Sequence, residues 1–132
     1  AQIGYAETAI DYFKKSIFID LKNTNDPISG GTFIGGIHTA AAGAAWQMVV
    51  NGFTGFDVQN NTILLKPQIP GEWNQVIYSV EIRGTRYQMT FDNNIVEVAI
   101  KQSKHSLMSL AINRQNYELK EGLNRFIINK DN

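Results

Sequence analysis

Asn51-Gly52-Phe53-Thr54-Gly55-Phe56-Asp57-Val58-Gln59-Asn60-Asn61-Thr62-Ile63-Leu64-Leu65-Lys66-Pro67 is the stretch in which the chain changes its periodicity. Before Asp57 the pattern is helical. Ile3, Ala6, Ile10, Phe13 and Ile17 recur at spacings of three and four, with Tyr5, Ala9 and Tyr12 as a second stripe beside them. An apolar face that wide predicts packing on more than one neighbour. A second helix is expected over 37–51, with Gly52 as its stop and with Ile37, Ala40, Ala41, Ala44, Ala45, Met48 and Val49 facing inward. Gly43 inside that helix costs about 1 kcal/mol against alanine, which points to a close neighbour there.

After Asp57 the pattern is that of strands. Expected strands are Thr62–Leu65, Val76–Arg83, Arg86–Phe91, Ile95–Lys101, Leu107–Asn113, Tyr117–Lys120 and Arg125–Asn129. Gly84-Thr85 and Asp92-Asn93-Asn94 read as hairpin connections, because Gly and Asn supply the positive φ of tight turns. About six or seven short strands in succession predict an antiparallel sandwich. The fold class is therefore α+β, with two helices followed by a sandwich and a division into 1–57 and 58–132.

Composition removes several classes of function. Lys plus Arg and Asp plus Glu number 12 each, so the formal charge is zero and no basic field exists for nucleic acid or an anionic membrane surface. Hydrophobic residues at 43% suffice for a core. Cysteine is absent, which excludes disulfides and thiolate metal sites and suits a cytoplasmic protein. No apolar run approaches the ~20 residues of a membrane span. Ala1-Gln2-Ile3-Gly4 is neither a signal peptide nor an initiating methionine, so the chain is expected to be a piece of a longer protein.

The segment 20–36 is a long loop rich in turn residues, and Ser29-Gly30-Gly31-Thr32-Phe33-Ile34-Gly35-Gly36-Ile37-His38 leads from it into the second helix. Glycines let backbone N–H groups approach an anion, and the dipole of the following helix favours negative charge. His38, in the first helical turn, can donate a ring N–H to the same anion. The alternative is a flexible turn followed by a buried, hydrogen-bonded histidine.

Tyr12-Phe13, Asp20-Leu21, Gly36-Ile37-His38 with Ala40-Ala41, Trp46, and Asn51-Gly52-Phe53-Thr54-Gly55 resemble the closing segment of glycoside hydrolase family 65, which includes maltose, trehalose and kojibiose phosphorylases. Leu64-Leu65-Lys66-Pro67, Pro70-Gly71-Glu72-Trp73 and Ile82-Arg83-Gly84 continue the resemblance. It implies that the helices end an (α/α)6 barrel and that the sandwich is a C-terminal domain. It also implies a parent enzyme that transfers a glucosyl group from an α-linked disaccharide to inorganic phosphate with inversion. His38 would bind that phosphate, assisted by Ser29, Gly30, Gly31 and Thr32, with no cofactor and no metal.

Inverting cleavage needs a general acid at the leaving oxygen, while phosphate, already anionic, needs no base. The family's acid is a glutamate upstream of this segment, so no residue here is expected to be catalytic and the chain alone should be inactive. Glu7, Asp11 and Asp20 read as solvated or capping residues. His105 reads as a surface residue, Trp46 and Trp73 as core anchors, and Lys14-Lys15 as too short for a nucleic-acid patch. Two other readings stay open: a hydrolase of the acid trehalase kind, and a non-catalytic carbohydrate-binding sandwich. Faces such as Ile10, Phe13 and Ile17, without their barrel neighbours, are expected to drive self-association.

Overall fold

The computed structural model describes residues 5–18, 39–92, 94–103 and 105–128. Helix α1 spans Ala6–Phe18 and α2 spans Thr39–Gln47, continuing without a break into a π-helical turn, Met48–Phe53. Eight strands follow: β1 Asp57–Gln59, β2 Thr62–Leu65, β3 Val76–Ile82, β4 Thr85–Phe91, β5 Ile95–Ile100, β6 Ser109–Ile112, β7 Gln115–Glu118 and β8 Gly122–Ile127. They form two four-stranded sheets, ordered β1-β2-β6-β7 and β3-β4-β5-β8.

The two sheets share one core. Ile63, Leu65, Leu110 and Ile112 of the first meet Tyr87, Met89, Phe91, Val96, Val98 and Ile100 of the second, all essentially inaccessible. Strict alternation produces this: β4 reads buried at Thr85, Tyr87, Met89 and Phe91, and β5 at Val96, Val98 and Ile100. Each fully buried Val, Ile, Phe or Met contributes about 1.5–3 kcal/mol. The one buried phenol in this set is satisfied, since the Tyr87 hydroxyl accepts from Met108 N at 3.2 Å.

Pairing is antiparallel with one exception. β2 and β6 run parallel, Thr62 beside Ser109 through Leu65 beside Ile112. The chain leaves the first sheet after β2, makes β3 to β5 of the second, and returns as β6 in the original direction. A purely antiparallel sandwich is thus corrected to an antiparallel-rich one.

Further expectations change, and the last two strands begin earlier than expected, at Gln115 and Gly122 in place of Tyr117 and Arg125. Gly52 does not stop the second helix; the chain passes through it and turns at Gly55, whose φ is +64°. The β3–β4 turn is Arg83-Gly84, φ 51° and 75°, with Ile82 paired to Thr85, one residue earlier than expected. Strand β1 is additional, joined to β2 through Asn60-Asn61 at φ 46° and 64°. Pairs of left-handed residues suit the twist of two-residue hairpins, and Asn113-Arg114 (49° and 69°) does the same between β6 and β7.

Helix α1 lies against α2, with Ser16 Oγ donating to Ala41 O at 3.1 Å. Of the inward face expected for α2, Ala45 is buried and Ala41, Met48 and Val49 are partly covered, while Ala40 and Ala44 are exposed. A methyl at Gly43 would meet nothing within 4 Å, so no described neighbour explains that glycine. Among the described residues no helix is long and apolar enough to cross a membrane.

Candidate functional site

His38, Ser29, Gly30, Gly31 and Thr32 lie outside the described residues, as does Asp20. The described part of α2 begins one residue after His38 and leads directly into the joint between helices and sandwich. That joint is built in detail. Thr54 N donates to Val49 O at 3.1 Å, the five-residue spacing of a π turn, and Phe56 N donates to Val50 O, six residues back, at 3.1 Å. Thr54, wholly buried, donates its hydroxyl to Val50 O at 2.6 Å and shares a 2.8 Å hydrogen bond with the Tyr78 hydroxyl on β3. Burial pushes the Tyr78 hydroxyl well above the ordinary tyrosine range, and the hydrogen bond with Thr54 acts in the opposite direction. Tyr78 is therefore a neutral phenol that fastens the helical end to the sheet.

The segment after β2 closes on the same joint. Lys66 N donates to Thr54 O at 3.1 Å and Gln68 N to Phe53 O at 2.6 Å. A Cβ at Gly55 would lie 2.6 Å from Lys66 O and 2.8 Å from Lys66 N, so only glycine admits this crossing. Phe13, Phe53 and Trp73 form a triangle of edge-to-face rings, with centroids 6.0, 5.2 and 4.9 Å apart, that ties α1 to the joint. Lys14 Nζ, 3.0 Å from Glu72 Oε1, adds an exposed ion pair of small energetic weight.

The site expectations divide accordingly. Trp73 is a packing residue, as read from the sequence. Trp46 is not, being 55% exposed. Phe13 is partly covered by the ring triangle, and Ile10 and Ile17 are partly covered too, so the open aromatic face of α1 is that of Tyr5 and Tyr12. Glu7, Asp11 and His105 are exposed, in accord with solvated roles. Among the described residues no group of three or more His, Asp or Glu could hold a metal ion.

A feature that sequence reading missed is a cleft of 660 Å³ beside the joint, floored by Phe56, Leu64 and Ala111 and rimmed by Asn51, Asp57, Lys66, Asn113 and Arg114. Its residues are scattered over 64 positions of sequence, from Asn51 to Arg114, and only the parallel β2–β6 pairing brings them together.

No protein-family model matches the chain. Curated relatives do. A 1,2-α-glucosylglycerol phosphorylase from Bacillus selenitireducens is 43% identical over 112 residues, which is 85% of this chain and 15% of that protein. An α,α-trehalose phosphorylase from Thermoanaerobacter brockii is 31% identical over 103 residues, 78% of this chain and 13% of that protein. A solved structure described as a kojibiose phosphorylase from the human microbiome superposes with a TM-score of 0.81 over 99% of this chain and 18% of its own, at 22% identity. That last likeness carries the fold over nearly the whole chain. The chain spans about a seventh of the length of these curated relatives, and on identity, motif order and fold together it belongs to glycoside hydrolase family 65.

Proposed function

We propose that this chain is the C-terminal portion of an inverting disaccharide phosphorylase and supplies part of its phosphate site. The carrying observation is that relatives named as phosphorylases of glucosylglycerol, trehalose, nigerose, kojibiose and maltose all match this one segment. What they have in common by name is phosphorolysis, while the sugar differs. A shared segment is therefore suited to the shared reactant, phosphate, and the sugar is selected elsewhere in the enzyme.

In this reading residues 1–57 belong to the end of an (α/α)6 barrel and 58–132 to a C-terminal sandwich. His38, with Ser29, Gly30, Gly31 and Thr32, holds phosphate at the start of α2. A phosphate oxygen forms the new bond to the anomeric carbon as the glycosidic C–O bond breaks, and a general acid supplied by the rest of the enzyme protonates the leaving oxygen. The product is a β-sugar 1-phosphate. The π turn, the Thr54–Tyr78 hydrogen bond and the glycine crossing at Gly55 fix the far end of α2 to the sandwich, which supports a rigid mount for that helix. The absence of cysteine in the chain supports a cytoplasmic setting for the enzyme.

His38→Ala in the full-length enzyme tests the phosphate assignment. A hydrogen bond to a charged group contributes ~1.5–3 kcal/mol, so phosphorolytic efficiency should fall roughly tenfold to hundredfold. The loss should lie in the phosphate dependence and spare the sugar dependence. A lowered melting temperature with an unchanged phosphate KM and efficiency would make His38 a packing residue and remove it from the site.

A further inference from the structure

Leu64 on β2 stands beside Ala111 on β6 in the parallel pairing, and Asp57 on β1 stands beside Leu64. Their neighbours Ile63, Leu65, Leu110 and Ile112 point into the core, so these three occupy the outer face of the first sheet. Alanine at 111 leaves a hollow between the strands that a larger side chain would fill. Phe56, delivered by the turn at Gly55, borders the same hollow. The result is a shallow apolar floor inside a polar rim.

The rim is held in place by its own hydrogen bonds. Asn51 Nδ2 donates to Phe56 O at 2.9 Å. Asp57 accepts from Val58 N at 2.8 Å through Oδ1 and from Gln59 Nε2 at 2.6 Å through Oδ2. A carboxylate has about four acceptor positions, so Asp57 keeps capacity for a ligand. Across the cleft Asn113 and Arg114 are fixed by their left-handed turn, and Asn113 N donates to Leu65 O at 3.0 Å.

We propose that this cleft binds a saccharide, one pyranose ring lying with its C–H face on Phe56, Leu64 and Ala111 and its hydroxyls on Asn51, Asp57, Asn113 and Arg114. The volume of 660 Å³ falls among small-molecule sites, which run to about 300–1,000 Å³. The rim offers both donors and acceptors, through two amides, a carboxylate and cationic side chains, which matches hydroxyl groups that both donate and accept. The rim sets Lys66 and Arg114 against Asp57, so an anion such as phosphate would find two cations, but it would also meet the Asp57 carboxylate and leave the apolar floor uncovered. A wholly apolar ligand would strip water from Arg114 and Asp57 without replacing it. This binding does not depend on the phosphorylase reading, because none of its residues belongs to the phosphate assignment.

The test is a titration of the chain with glucose, with kojibiose and with inorganic phosphate, followed by backbone amide shifts. Either sugar should move the amides of Phe56, Leu64 and Ala111 saturably, and phosphate should leave those amides in place. The double variant Asn113→Gly/Arg114→Gly removes both rim side chains at positions where glycine relieves a positive φ, so the fold is retained. It should weaken sugar binding about tenfold or more. No saturable shift from either sugar, an unchanged Kd in the double variant, or phosphate moving the same amides would each overturn the assignment.

Discussion

Gly55 is the residue where a single methyl group does the most predictable harm. Its φ of +64° already disfavours any other residue, and a Cβ would press on the backbone of Lys66 at 2.6 Å. Gly55→Ala should therefore cost at least the order of 1–3 kcal/mol associated with backbone strain. The check is the melting temperature, which should fall; an unaltered value would mean the crossing is looser than it stands. Tyr78 yields a prediction in pH. Its folded pKa is raised above the ordinary value of 10.0, chiefly by burial, so the neutral form is the one the fold prefers. That contribution is fully present below pH 10 and is lost as pH rises beyond it. Alkaline melting curves should show this loss in the parent chain, and Tyr78→Phe should flatten it. At this scale the sequence was readable where a residue has one physical role: Trp73 follows Pro70-Gly71 and anchors the joint. Trp46 was not, because periodicity marks an apolar side chain but not whether a partner surface is there to receive it.

The β3–β4 hairpin was legible as an element, since Gly84 announces a left-handed turn and the alternation in β4 and β5 is strict, whereas the turns at Asn60-Asn61 and Asn113-Arg114 were not read. Strand β1 was not, because Asp57, Val58 and Gln59 are all exposed and carry no inward face to read. The parallel β2–β6 pair was equally hidden: direction is set by how many strands intervene, and no residue in either strand records it. The second helix was read with the right type and the wrong end. Gly52 looked like a stop, yet the hydrogen bonds of Thr54 and Phe56 back to Val49 and Val50 carry the winding through it. Helix α1 is held by the ring triangle, and Phe13→Ala should detach it. Truncating a buried Phe costs ~3–5 kcal/mol, and Phe13, being partly covered, should cost less than that. Amide exchange in Ala6–Phe18 should quicken while that of Tyr87–Phe91 stays slow. Equal acceleration in both would mean that α1 and the sandwich open as one cooperative unit.

Among the described residues, exposed apolar side chains lie on both parts of the molecule: aromatic on the helical side, and aliphatic on the sandwich at Ile77, Leu123 and Ile127. Tyr5, Tyr12 and Trp46 are 68%, 63% and 55% exposed on the helical side. Such a face should drive association at high concentration, and light scattering should show a mass above that of one chain; a monomer at every concentration would contradict this. The sandwich could be argued from residue patterns alone, but the phosphate assignment of His38 rests on the order of short motifs shared with family 65. Phosphorolysis is the central claim, and product analysis of the full-length enzyme tests it most directly. Incubated with an α-linked glucosyl disaccharide and inorganic phosphate, the enzyme should release a β-sugar 1-phosphate, and its turnover should stop when phosphate is withheld. Free glucose formed at the same rate with or without phosphate would contradict the account and identify a hydrolase.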